Sequence, residues 1–257
     1  MKKLLSIVLV VAVLGGFAFV LSYVGKDRAP VAVDTGPHVL VGFSTPDGNY
    51  EYKEDAPYYF INVKYPSQTL LTNKTADQKV RLAIEQELKM QIQQFKDDNR
   101  LDSLSAEDIQ VQGLGGERRY TLQIDYKQYQ STSTVSYFFT VYADTMGAHP
   151  NGYFKTFVFD QQGLEVSLGS LLSNNPNWLE ELSLLVSSDV VAQLKQRLGQ
   201  KDVAGAIFAE GLAPKEENFQ NFLVDGETLV VHIPPYQVAA YAAGAFEVRV
   251  PLNGLSK

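Results

Sequence analysis

Tyr120-Thr121-Leu122-Gln123-Ile124-Asp125-Tyr126-Lys127 is the stretch that decides the architecture of this chain. Tyr120, Leu122, Ile124 and Tyr126 alternate with Thr121, Gln123, Asp125 and Lys127, so one row faces a core and the other faces water. Strands with one wet face belong to antiparallel sheets. Downstream, Ser133 to Tyr142 repeats the pattern with Val135, Tyr137, Phe139 and Val141 on one side. Tyr153 to Phe159 adds a third strand, and Asp160-Gln161-Gln162-Gly163 turns it into Leu164 to Leu168. Upstream, Tyr58 to Tyr65 is aromatic and β-branched and stops at Pro66. The chain closes with a hairpin, Phe219 to Val224 and Thr228 to Ile233 about an Asp225-Gly226 turn, then a last strand carrying Phe246, Val248 and Val250.

Two helices interrupt the strands. Thr75-Ala76-Asp77-Gln78 has the form of a capping box, with a hydroxyl at the N-cap and a glutamine three residues on. Val80, Ile84, Leu88, Ile92 and Phe95 follow at helical spacing, which predicts an amphipathic helix from Ala76 to about Lys96. Farther on, Asn175 is placed to cap a helix with Pro176 at its first position, where a missing N–H costs nothing. Its stripe is Trp178, Leu182, Leu185, Val190, Leu194 and Leu198, and Gly199 stands at the expected C′ position. The predicted class is α+β, a mostly antiparallel sheet with two long amphipathic helices behind an N-terminal membrane helix.

That membrane helix is read from Leu4 to Val24, 21 residues without a charge behind Lys2 and Lys3. At 1.5 Å per residue they span about 31 Å, close to the hydrocarbon thickness of a bilayer. A cleaved secretory signal has a shorter apolar core, and this run continues past the small residues Gly16-Phe17-Ala18. The expectation is a single-pass protein of the cell membrane whose C-terminal domain lies outside the cytoplasm, with secretion as the alternative. Residues 25–50 are rich in Pro and Gly and read as a tether, although Val39-Leu40-Val41 has the makings of a short strand.

Of 257 residues, 45% are hydrophobic and 20% charged, the composition of a globular protein rather than a disordered or coiled-coil one. The net charge is −7, and without the two lysines of residues 1–24 it becomes −9. That balance excludes the concentrated basic face a nucleic-acid binder needs. With no cysteine and only His38, His149 and His232, no set of zinc ligands stands out, and no metal or cofactor is expected. Neither Gly-x-Ser-x-Gly nor Ser-x-x-Lys occurs, and Gly113-Leu114-Gly115-Gly116 lacks the Lys-Ser/Thr of a phosphate-binding loop. No catalytic residue is assigned. Asp144, at a strand end near His149, is the best acid or base, although an aspartate there more often closes the following turn.

Two segments break the patterning. Met146-Gly147-Ala148-His149-Pro150-Asn151-Gly152 joins two strands by a loop of small residues. Pro234-Pro235-Tyr236-Gln237-Val238-Ala239-Ala240-Tyr241-Ala242-Ala243-Gly244 leaves the sheet and returns through alanines and two tyrosines. Ala148, His149, Pro150, Asn151, Tyr236 and Tyr241 are the candidate ligand-binding residues, because aromatic rings on loops make stacking platforms and anchors. The bland alternative is that the small residues permit close packing while the tyrosines cover the core edge. Since alanines bury little, the two rings are expected to supply most of the loop's apolar contact, with Tyr241 structural and Tyr236, lifted off by Pro234-Pro235, exposed.

These motifs carry a resemblance. Gly147-Ala148-His149-Pro150-Asn151, the turn into Leu164-Glu165-Val166-Ser167-Leu168, and Tyr236-x-x-Ala239-x-Tyr241-Ala242-x-Gly244 before a final strand resemble the C-terminal domain of the RsiV family of lysozyme-sensing anti-sigma factors. Glu51 to Asp144 resembles the N-terminal module of the PdaC family of peptidoglycan deacetylases. The resemblance implies four parts: an anchor or signal at 1–24, a tether at 25–50, a PdaC-like module at 51–145 and an RsiV-like module at 146–257. It also implies an extracytoplasmic binding role. Partners would then be the membrane through residues 4–24 and either peptidoglycan or a lysozyme-like protein, and not nucleic acid. With three residues before Leu4 a sigma-binding segment is not expected, nor is a deacetylase domain in a chain reading to Lys257. A glycan hydrolase using acidic residues that sequence cannot pair is the alternative.

Overall fold

Alternating strands in this chain build a larger sheet than their own number implies. The computed structural model describes residues 43–44, 48–198, 203 and 207–255, and in it six strands form one sheet in sequential order. They are β1 (Phe43–Ser44), β2 (Asn49–Asp55), β3 (Tyr59–Pro66), β4 (Tyr120–Gln130), β5 (Thr134–Asp144) and β6 (Asn151–Asp160). Neighbours are antiparallel except β3 and β4, which pair in parallel from Tyr59↔Tyr120 to Val63↔Ile124. A parallel pair requires a crossover. Helices α1 (Lys74–Asp98) and α2 (Ala106–Gln112) supply it.

Helix α1 lays Ala76, Val80, Ile84, Leu88, Ile92 and Phe95 on one face of this sheet, against Ile61, Val63, Leu122, Ile124, Tyr137 and Phe139. The buried stripe is the one the sequence predicts. Its cap is different: Asn73 accepts from the N–H groups of Thr75 and Ala76, so Thr75 lies inside the first turn. Asn is as good an N-cap as Thr and comes first in the chain. Asp77 meanwhile accepts from Thr69 N–H at 2.7 Å and from Arg81 at 3.0 Å. Glu54 of β2 ties the far end of the helix to the sheet, accepting from Lys96 at 2.6 Å, Tyr59 at 2.9 Å and Tyr52.

A second sheet of three antiparallel strands, β7 (Phe222–Asp225), β8 (Thr228–Ile233) and β9 (Phe246–Pro251), packs on the other face of the first. Gly226, at φ +61°, is the first residue of the two-residue loop between β7 and β8, where glycine is favoured. Leu223, Val230 and Phe138 meet between the sheets, and Ser136 Oγ accepts from Val224 N–H at 3.0 Å. Beyond the second sheet, α3 (Leu168–Leu171) and α4 (Trp178–Leu198) bury Leu168, Leu182, Val186, Val190 and Leu194 against Leu229, Val231, Phe246 and Val248. The layers run helix, sheet, sheet, helix.

Several expectations need correction. The predicted tether contains β1 and the first residues of β2, because Phe43 and Ser44 pair with Glu51 and Tyr50. Leu164 to Leu168 is no strand: only Glu165 bridges, to Phe159, and Ser167 caps α3 through Ser170 N–H. Gly163, at φ +73°, lets this turn sit on the start of α1, where a Cβ would lie 2.7 Å from Ala76 O. Helix α4 starts at Trp178, and Asn175 closes the turn before it by accepting from Asn177 N–H. The strand read from Phe219 begins at Phe222, after a 3₁₀ turn at Glu216–Phe219. Helix α2 is an addition, too short for periodicity to show. The expected anchor at 1–24, most of the tether, His38 and Gly199 lie outside the described residues. No helix among the described residues is long and apolar enough to cross a membrane.

Candidate functional site

The second sheet covers only part of the face it packs on. In β5, Ser136 and Phe138 are buried beneath it, whereas Thr140 and Tyr142, on the same side of the strand, are exposed. The uncovered part ends where the β5–β6 connection meets the segment between β8 and β9. These are the two segments that break the sequence pattern.

His149 joins them. Its ring stacks on Tyr241 with centroids 4.1 Å apart and planes 16° from parallel. Its Nδ1 lies 3.0 Å from the Pro150 carbonyl and its Nε2 3.0 Å from the Tyr236 hydroxyl. A carbonyl only accepts, so Nδ1 carries the proton; in the neutral ring Nε2 then accepts from Tyr236. Tyr241 also donates to Pro150 O, at 3.1 Å. Four of the six candidates, His149, Pro150, Tyr236 and Tyr241, therefore form one contact group. Ala148 is exposed beside it, and Asn151 opens β6 opposite Ala143.

Backbone strain marks the same place. Tyr236 has φ +71° and Met146 φ +63°, a region that residues with a Cβ adopt uncommonly. Such outliers persist only where surroundings over-determine them. Here they do. Gln237 Nε2 donates to Gly211 O at 2.9 Å and Asn218 O at 2.8 Å, and Phe208 N–H donates to Val238 O at 2.8 Å. Val238 and Ala239 are buried in the core beneath α4. Arg197, in the last turn of α4, donates to Ala243 O and Ala245 O and lies 4.1 Å over the Phe246 ring. The expectation that the two rings supply most of this loop's apolar contact is thus wrong, since Val238 and Ala239 are buried and Gln237 and Arg197 hold the backbone; Tyr236 is 48% exposed, as expected.

Beside the cluster, a groove of about 260 Å³ runs over the open sheet face, lined by Gln123, Asp125, Thr140, Tyr142, Gly152, Phe154 and Pro235 among others. Sequence reading missed these residues. The available signal was the aromatics Tyr142 and Phe154 in the phase of their strands opposite the core rows. Of the nearby carboxylates, Asp125 pairs with Lys64 at 3.2 Å. Asp144 accepts from Met146 N–H at 2.9 Å, the turn-closing role. His232 lies behind Phe154, in the core. Among the described residues no three His, Asp or Glu side chains are grouped to hold a metal.

Residues 170–253 match the model of DUF3298, a family described as protein of unknown function. The chain is 31% identical over 137 residues to peptidoglycan-N-acetylmuramic acid deacetylase PdaC of Bacillus subtilis, a match to 52% of this chain and 28% of that protein. It therefore spans little more than a quarter of that relative. The crystal structure of a DUF3298 family member from Bacteroides fragilis superposes with a TM-score of 0.56 at 17% identity, covering 80% of this chain and 90% of that one. A Pseudomonas aeruginosa DUF3298 structure gives 0.49 at 17% identity, covering 81% and 92%. The fold is shared with the Bacteroides protein.

Proposed function

We propose that this protein is a binding module of the bacterial cell envelope, held at the membrane by residues 4–24 with its folded domain outside the cytoplasm. Its ligand face is the cluster of His149, Tyr236 and Tyr241 together with the groove beside it. One observation carries the reading: an exposed tyrosine is held in a strained backbone conformation, its ring left outside the core while the residues that follow it are buried there. Positioned aromatic rings beside a few polar groups are how proteins hold glycans and protein anchors alike. The partial match to a peptidoglycan deacetylase supports the envelope as the place of action, and the resemblance to lysozyme sensors offers a protein as the other ligand class.

Two measurements test it. After fractionation of cells making a C-terminally tagged form, the tag should stay in the membrane pellet through a high-salt wash and be cleaved by protease added outside. A shorter species in the medium would reject the anchor. Purified protein should sediment with peptidoglycan sacculi or bind lysozyme, and Tyr236→Ala should abolish that binding without unfolding the domain. Binding unchanged in Tyr236→Ala would move the ligand face elsewhere.

A further inference from the structure

The open sheet face carries a row of side chains that the loop cluster does not explain. Strand register aligns Lys53, Asn62, Gln123, Tyr142 and Gly152 across β2 to β6. Four inter-strand steps of about 4.8 Å make the row ~19 Å long. Tyr142 is 42% exposed on a rigid strand, not on a loop. Its neighbour Gly152 has no side chain, so one flank of the ring is left clear. On the other flank stands Gln123, exposed, with an amide that both donates and accepts. Next to it, Asn62 Oδ1 is buried and without a hydrogen-bond partner. Such an acceptor calls for a donor.

The row has little net charge to offer. Asp125, one step along β4 from Gln123, is paired with Lys64 at 3.2 Å. Lys53 lies 5.4 Å from the Phe60 ring, which Arg119 also covers while it pairs with Asp55 at 2.5 Å. The one cation of the row, Lys53, stands at the end away from Tyr142, and beside Gln123 the Asp125 carboxylate is already paired. A ligand with an apolar face to lie on an aromatic ring, and with amide and hydroxyl groups along its edges, meets each feature in turn.

We infer that this row is a track for an uncharged, N-acetylated oligosaccharide, with one sugar ring on Tyr142 over the space left by Gly152. Asn62 turns its unpartnered Oδ1 outward to accept from an acetamido N–H of that ligand, and Gln123 bonds the neighbouring hydroxyl or carbonyl. The inference rests on the proposed binding role and narrows it: the ligand is a glycan, and Tyr142, which is no part of the loop cluster, holds it.

Full-length protein in detergent micelles, titrated with β-linked N-acetylglucosamine oligosaccharides and separately with lysozyme, tests it by calorimetry. The expected result is saturable oligosaccharide binding that weakens at least tenfold in Tyr142→Ala and in Asn62→Leu, with thermal melting of Tyr142→Ala unchanged. Tyr142→Phe keeps the ring and should retain most of the affinity, which separates ring contact from a folding defect. Gly152→Val, which fills the clear flank, should weaken binding similarly. Oligosaccharide binding lost in Tyr236→Ala but unchanged in Tyr142→Ala would overturn the track and leave the loop cluster standing. Binding to lysozyme with none to oligosaccharide would overturn the glycan inference and keep the binding role; binding to neither would remove both.

Discussion

Acidification should weaken this fold through one histidine. His232 of β8 is 6% exposed, its ring 4.0 Å from Phe138 and edge-on to Phe154 at 5.7 Å, and its Nε2 has no hydrogen-bond partner. Burial pushes its pKa down to about 4; Glu247, its partner across the β8–β9 ladder, opposes that shift, while Arg249 and Lys127 add to it. A free histidine titrates near pH 6.5, so the unfolded chain takes up a proton between about pH 6.5 and 4 that the folded one refuses. The stabilisation is complete above pH 6.5 and falls away as pH drops toward 4. Two and a half units at 1.36 kcal/mol each bound the effect, and between pH 7.5 and 4.5 the loss is roughly 2–3 kcal/mol. Urea unfolding at a series of pH values should show this decline in the wild type. His232→Phe fits between the same two rings and cannot titrate, so its decline should be smaller by that amount. Both proteins also lose the contributions of carboxylates such as Glu54 and Asp77, which cancel in the difference. If the two curves run parallel from pH 7.5 to 4.5, His232 is either protonated in the fold or exposed in it, and the reasoning fails.

Three other outcomes are expected. Tyr236→Ala should stay within about 1 kcal/mol of wild type, whereas Tyr241→Ala, losing its stack on His149 and its bond to Pro150, should cost about 2 kcal/mol; thermal melts in the reverse order would refute the assignment. A Cβ on Gly211 would lie 2.0 Å from Gln237 O, so Gly211→Ala should cost about 1–3 kcal/mol and displace the loop that presents Tyr236, detectable as a lower melting temperature together with faster hydrogen exchange in residues 234–244. Burial raises the Glu54 pKa, but bonds from Lys96, Tyr52 and Tyr59 outweigh it and hold the carboxyl below its usual value. Glu54→Ala, Lys96→Met and the double mutant should therefore show a coupling of about 1 kcal/mol or more by urea unfolding at pH 7, fading as pH falls below 4.

Local patterning was enough for most elements. The two-residue period of Tyr120–Lys127 and the 3.6-residue period of Val80–Phe95 are properties of neighbouring residues, and each survives in β4 and α1 because its apolar row has one partner to face. The turn at Gly226 and the short, positioned loops at His149 and Tyr236 were likewise visible, since glycine, proline and small residues act locally. Periodicity could not show where a row's second face goes. Ser136 and Phe138 share the outward phase of β5 with Thr140 and Tyr142, yet the first pair is buried and the second exposed, because the second sheet reaches only that far. The parallel pairing of β3 with β4, 54 residues or more away along the chain, likewise depends on α1 and α2 folding back between them. The meeting of His149 with Tyr236 and Tyr241 spans some ninety residues, and nothing in either segment encodes the other. What the sequence determined by itself is which residues seek burial and with what period. Which faces find cover, and so where a ligand face is left open, depends on contacts between segments far apart in the chain, and only the tertiary structure decides them.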